Sequence, residues 1–186
     1  MDSDFSRWND ESLLNLIKEG VHAAFAELMQ RHSNRFYRIA YRVVFSKEEA
    51  EDIVQEAFLR LWERPQLWNP RKQAKFTTWF YKVVINMCLD HNKKKNPVPF
   101  SEDIDWLDRQ PPGENLVLSY REKQVLLDRL IKELPNRQQL ALNLCFYEGL
   151  RNEEAAEIMG SKVKALQSLI MRAKITLKEK VKQYFD

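Results

Sequence analysis

SKEEAEDIVQEAFLRLWER, residues 46–64, decides how the rest of the chain reads. Ala50, Ile53, Val54, Ala57, Phe58, Leu61 and Trp62 recur at the three- and four-residue spacing of one apolar helical stripe. Ser46 with Glu49 three residues on reads as a capping box, and the early acids suit the positive end of the helix dipole. Asp52, Gln55, Glu56, Leu59 and Glu63 repeat on the opposite face. That is an acidic surface with one large aliphatic side chain set into it. It fits a docking site for a basic partner, and it fits an ordinary solvated face; spacing alone does not choose.

Composition bounds the remaining possibilities. The 186 residues have room for one large domain or two small ones, and 44% hydrophobic residues are enough for packed cores. No apolar run approaches the roughly 20 residues of a membrane helix; Val83 to Leu89 comes nearest. The opening MDSDFSRWND is polar and acidic, unlike a secretory signal. Cys88 and Cys145 lie far apart without a CxxC neighbour, and the histidines are His22, His32 and His91, a poor basis for a zinc site. Two unpaired thiols fit a reducing cytoplasm.

Charge is unevenly spread. Residues 48–56 hold five acids and no base. Residues 71–95 hold seven cations against Asp90, net +6, and residues 101–114 hold five acids against Arg109, net −4. Residues 161–182 again set seven cations against one acid, Glu179, for +6. Two basic blocks around an acidic spacer are consistent with two contacts to a polyanion, or with solvated helix faces.

In chain order, a first helix is expected from Asn9 or Asp10, with Leu13, Leu14 and Ile17 inward and Gly20 as its stop. A longer one, about Val21 to Phe45, carries Phe25, Leu28, Met29, His32, Phe36, Ile39, Ala40 and Val43; His32 reads as a core-edge histidine. After the polar connection from Pro65 to Lys75, a helix is expected from Thr77 or Thr78, either of which can cap it. Phe80, Val83, Val84, Met87, Cys88 and His91 should be buried, and Trp79, Lys82, Asn86, Asp90 and Lys93 exposed. A tryptophan among lysines is what single-strand binding uses, cations for phosphates and a ring for an unstacked base. The same ring can equally be half-buried against Trp68 or Phe76.

Periodicity vanishes from Asn96 to about Ser119, where five helix breakers and the acids mark a linker. Ile104, Trp106 and Leu107 make part of it too apolar for a pure spacer. Beyond it, Val125, Leu126, Leu130 and Ile131 stripe a helix ended by Leu134-Pro135, with Pro135 in the first turn of a second helix carrying Leu140, Leu144 and Tyr147. Glu148-Gly149-Leu150 turns the chain into a short helix through Ala155, Ala156, Ile158 and Met159. Gly160 then leads into a last helix with Val163, Leu166, Ile170, Ala173 and Leu177 inward and Lys162, Lys164, Gln167, Ser168, Met171 and Arg172 outward. Short helix, glycine turn and basic helix form a helix-turn-helix pattern.

Asp52-Ile53-Val54-Gln55-Glu56-Ala57-Phe58-Leu59 followed by Trp62 resembles the polymerase-binding segment of bacterial sigma factors, and AFAELMQRH resembles the opening of the same domain. Phe76–Lys95 resembles their promoter-melting, minus-ten-reading segment; LPNRQQLALNLCFYEGL and LQSLIMRAKITL resemble their minus-thirty-five-reading domain. Length and two-part layout resemble the extracytoplasmic-function group. The resemblance implies an all-α protein of two helical domains, 1–96 and 120–186, joined by a flexible acidic linker, 97–119, the second domain a helix-turn-helix. It implies docking of Asp52, Gln55, Glu56 and Leu59 on the clamp helices of the largest core RNA polymerase subunit. The beta flap, promoter DNA and an anti-sigma protein are the other partners it implies. Lys75, Trp79, Lys82 and Asn86 are the expected minus-ten contacts, and the loop Gln66–Phe76 would hold a flipped base. The linker would thread channels that later hold RNA. Lys164, Gln167 and Ser168 are expected on base edges, with Lys162, Arg172 and Lys174 on phosphates.

The chain departs from the family pattern at Arg151, where Ser or Thr is usual, at Ala155 for Ile, and at Lys162 for Ser or Thr. The caps are expected to move to Asn152 and Ser161. No catalytic constellation, metal or cofactor is expected, and the protein is expected in the cytoplasm, without membrane insertion and not as an enzyme. Two alternatives account for parts of the sequence. One is a helix-turn-helix regulator that is not a sigma factor; the other is a polymerase or signalling interaction protein that does not read DNA.

Overall fold

The computed structural model describes residues 5–69, 75–95 and 120–185. All elements among them are helical. The chain divides into two compact units, Met1–Val98 and Pro99–Asp186.

The first unit is built from α1 (Asp10–Lys18), α2 (His22–Val44), α3 (Lys47–Glu63) and α4 (Phe76–Lys95), preceded by a 3-10 turn, Phe5–Arg7, with another at Pro65–Leu67. Asn9 caps α1 by accepting the Ser12 N–H at 2.8 Å. Ser46 caps α3 through the Glu49 N–H at 3.4 Å, while the Glu49 carboxylate lies 3.3 Å from His91 Nε2. Helices α2, α3 and α4 pack against one another, and α1 lies on α2. Phe36 sits at the centre, fully buried, with its ring centroid 4.6 Å from Phe80, 5.0 Å from Tyr81 and 6.2 Å from Phe58. Truncating such a residue to alanine typically costs about 3–5 kcal/mol.

Two expectations for α4 need correction. The helix begins at Phe76, so Thr77 and Thr78 lie in its first turn and neither precedes it; Thr78 is buried. Its buried surface is also wider than one stripe. Phe80, Val84 and Cys88 are buried as expected, but so are Tyr81 and Ile85, whereas Val83, Met87 and His91 are only half-buried. The reason is that α4 packs on α2 and α3 together. Asn92 ties its far end to α2, donating to the Val43 carbonyl at 3.0 Å.

The second unit comprises α5 (Tyr120–Lys132), α6 (Asn136–Leu142) running on through a π-helical turn (Asn143–Tyr147), α7 (Asn152–Ile158) and α8 (Val163–Phe185). Ile131, Leu134, Leu142 and Ala173 form a buried cluster, with Tyr147, Ile170 and Leu177 packed against it. Buried Gln139 donates to the Ile131 carbonyl at 2.9 Å, Tyr147 donates to Asp128 at 3.0 Å, and Lys180 meets Glu133 at 2.7 Å. Val125, expected inward, is 63% exposed. It stands about 100° round the helix from Leu126, and the buried line runs through Leu126, Leu130 and Ile131 instead. Pro135 occupies the residue before α6, its carbonyl accepting the Gln139 N–H at 3.0 Å. Gly160, at φ +59°, makes the left-handed turn between α7 and α8 that a side chain would strain.

Candidate functional site

Three helix faces carry the residues singled out in the sequence. On α3, the buried line Ala50, Ile53, Val54, Ala57, Phe58 and Leu61 leaves Asp52, Gln55, Glu56, Leu59 and Glu63 exposed together. Leu59 is 48% exposed, an apolar side chain among carboxylates. Glu56 accepts from Arg60 Nε at 2.8 Å, an exposed i,i+4 pair worth a few tenths of a kcal/mol. The acidic face thus has one internal cation and an aliphatic centre. It complements a basic surface that also offers an apolar hollow.

On α4, Lys75, Trp79, Lys82 and Asn86 fall at offsets of four, three and four residues, which places them on one side of the helix. Lys75, Lys82 and Asn86 are exposed. Trp79 is half-buried, its ring 6.0 Å from Phe76 and 5.9 Å from Phe80. The packed alternative therefore describes Trp79 better than the freely exposed one. Its indole is held by neighbours and shows only part of its face. Phe76 in turn meets Trp68 edge-on at 6.3 Å, and Trp68 is buried, with the Lys18 ammonium 5.8 Å above its ring. Of the loop that the sigma-factor resemblance assigns to a flipped base, residues 70–74 lie outside the described residues, as does the linker 97–119.

On α8, Lys164, Gln167, Met171, Arg172 and Lys174 are exposed, and so is Lys162 just before the helix. Ser168 is half-buried, and its hydroxyl donates to the Lys164 carbonyl at 2.9 Å, so part of its hydrogen-bonding capacity is already used. Arg172 and Lys174 are two residues apart and point about 160° from each other round the axis. They can grip two flanks of a groove, never one point. Gln167, Ile170, Met171 and Lys174 line a hollow of about 610 Å³, closed on its other side by Cys145, Phe146, Leu150, Arg151 and Asn152. Sequence reasoning missed Phe146, which is 56% exposed and carries the Lys174 ammonium 4.7 Å above its ring.

Neither expected cap shift takes place. Arg151 remains the residue before α7, its N–H donating to the Glu154 carboxylate at 3.2 Å, and its side chain lies 3.6 Å from the same carboxylate. Asn152 is the first residue of the helix and accepts from the Cys145 thiol at 3.7 Å. At α8 the Lys162 carbonyl accepts the first helical N–H, from Leu166 at 3.1 Å, and Ser161 Oγ is buried without a hydrogen-bond partner. Ala155 is fully buried, and α7 packs on α8.

Burial pushes the Cys88 thiol up to about 12 and raises that of Cys145 as well, so neither is an activated nucleophile. Among the described residues, no helix is long and apolar enough to cross a membrane.

Comparison with known proteins places the three helices within two matched regions. Residues 28–97 match the model of Sigma-70 region 2, and residues 124–177 that of Sigma-70, region 4. Together these span about two thirds of the chain. The ECF RNA polymerase sigma factor SigE of Mycolicibacterium smegmatis is 28% identical over 96% of this chain and 71% of its own length. The ECF RNA polymerase sigma-E factor of Escherichia coli is 29% identical over 92% of this chain and 94% of its own. Two solved structures share the fold at 20% identity. CnrH, solved with the cytosolic domain of CnrY, has a TM-score of 0.69 over 93% of this chain and 97% of its own. The sigma factor RpoE of Bartonella quintana, solved with the anti-sigma factor NepR, has 0.63 over 85% and 96%. With both regions in order on a frame that is helical throughout the described residues, the chain belongs to the extracytoplasmic-function sigma factors, DNA-binding proteins of the sigma-70 family that direct transcription initiation.

Proposed function

We propose that this chain binds core RNA polymerase through Asp52, Gln55, Glu56 and Leu59 of α3 and carries it to promoters through the two basic faces. The division of labour is 1–96 for polymerase docking and the minus-ten region, 97–119 as linker, and 120–186 for the minus-thirty-five element. Within the first part, Lys75, Trp79, Lys82 and Asn86 meet the nontemplate strand as the duplex opens. Exposed cations supply phosphate contacts there, and the part-exposed indole supplies a stacking surface. Within the second, Lys164 and Gln167 face base edges from the early turns of α8, with Ser168 beside them, and Lys162, Arg172 and Lys174 meet phosphates on either flank.

The single observation that carries the reading is the α3 face: an exposed leucine sharing a side with Asp52, Glu56 and Glu63, on a helix that buries Ala50, Ile53, Val54, Ala57, Phe58 and Leu61 on the other. A regulator that used only its helix-turn-helix would have no need of it. The protein is no catalyst in this reading; bond formation belongs to the core enzyme, in the cytoplasm. The clamp helices and the beta flap are the polymerase partners, and an anti-sigma protein is the proposed regulator.

Adding the purified chain to sigma-free core polymerase tests the whole reading. The expected result is transcription from a small set of defined start sites, which core alone does not use. Binding to core without start-site selection would make it an interaction protein; promoter binding that ignores core would make it a conventional regulator.

A further inference from the structure

We propose that Met171 is a specificity residue which reads thymine C5-methyl groups in the minus-thirty-five element. The inference rests on the reading of α8 as the helix that enters the major groove. It adds a recognition element of another chemical kind.

Met171 is 61% exposed on a helix whose opposite side is closed by Leu166 and Ala173, both fully buried. It lies one turn beyond Gln167, on the same side of α8, and both line the hollow. Met171, Ile170, Leu150 and Phe146 give the hollow its apolar lining, and Lys174 and Arg151 line it as cations. There Lys174 is held over the Phe146 ring and Arg151 is exposed.

The major-groove edge of a base pair offers donors, acceptors and one apolar group, the thymine methyl. A methionine has no donor and only a weak acceptor, so it cannot compete for the polar edges; its thioether packs adaptably against a methyl. The lining cations meet the flanking phosphates, and the apolar lining takes the methyl between them. The arrangement matches the two chemistries that alternate along a duplex. A protein segment would also bury the patch, and the test below distinguishes the two.

Holoenzyme reconstituted from core polymerase and the full chain is first used to select its preferred minus-thirty-five sequence from randomised duplexes. Each thymine is then replaced in turn by deoxyuridine, which lacks only the methyl. At one or two positions the wild-type holoenzyme should bind about fourfold more weakly, the effect of exposing roughly one carbon of apolar surface. Met171→Ala should lose that sensitivity, and Met171→Leu should keep it. Equal sensitivity in wild type and Met171→Ala overturns the proposal, with the selected sequence leaving α8 as the DNA reader. Weakened core binding by Met171→Ala with unchanged uridine sensitivity also overturns it and assigns the patch to a protein. Selection of no preferred sequence would remove the minus-thirty-five reading itself.

Discussion

Asp10 and His32 lie 22 residues apart in sequence and 2.8 Å apart in the fold, the imidazole Nε2 against the carboxylate at the start of α1. Arg31 reinforces the join, reaching Asp10 and Glu27 at 2.9 Å each and the Trp8 carbonyl at 2.9 Å. His32 also lies 5.8 Å from the Phe76 ring. The contact therefore links α1 and α2 to the helix that carries Trp79.

Acid should weaken this join. Burial pushes the Asp10 carboxyl upward, but hydrogen bonds and charge from His32 and Arg31 outweigh it, and the carboxyl sits below its ordinary value of 3.8. A lowered folded-state value means the stabilisation is fully present above the unfolded value and lost as pH falls through the folded one. Asp10→Asn should cost about 1.5–3 kcal/mol at neutral pH, as for a hydrogen bond to a charged group. The gap between wild type and variant in denaturant melts should narrow below pH 3.8. A gap constant down to the lowest pH reached would mean that the carboxylate charge is not what holds α1.

On α3, Asp52→Lys with Glu56→Lys should abolish capture by core polymerase, since like charges facing each other across an interface cost several kcal/mol. Both side chains are exposed. Losing the Glu56–Arg60 pair should therefore change thermal stability by less than about 1 kcal/mol. Undiminished binding by a folded double variant would remove this face from the interface.

Trp79→Ala removes both a stacking surface and the packing on Phe76 and Phe80. Stability should fall by about 1–3 kcal/mol, and open-complex formation on duplex promoters should slow. Trp79→Phe should restore most of the stability. If the alanine variant is slow on a duplex yet normal on a pre-melted bubble, the ring acts in opening; equal loss of core binding would make its role purely structural.

Gln167→Ala should relax preference at one or two base pairs, worth roughly 1–3 kcal/mol of discrimination. Lys174→Ala should weaken all sequences alike and flatten the salt dependence. The converse pattern would place the helix in the groove in another register.

Arg151 leaves α7 without a side-chain acceptor at its start. Arg151→Ser should complete a capping box with Glu154 and raise stability by about 0.5–1 kcal/mol, read from melting curves. A fall would mean that the 3.6 Å Arg151–Glu154 pair outweighs the missing cap.

Much of this protein is written in local sequence. The periods of α1, α2 and α3, the start of α1 at Asn9 or Asp10, the cap at Ser46, the turn at Gly160 and the charge blocks are short-range patterns, and each is legible without the fold. The exposed acidic face of α3 follows from the same period that buries its other side. Tertiary structure decided the rest. A single stripe could not foretell that α4 packs on two helices at once, burying Tyr81 and Ile85, nor that Val125 would fall outside the line that meets α8. Trp68, from the connection before α4, went inside against Phe76, a contact between segments that sequence does not show. The hollow beside Met171 needs residues from the turn after α6, Phe146 among them, to reach α8. Periodicity records which side of a helix is buried, but the neighbour that buries it comes from a distant part of the chain, and that pairing is set by packing.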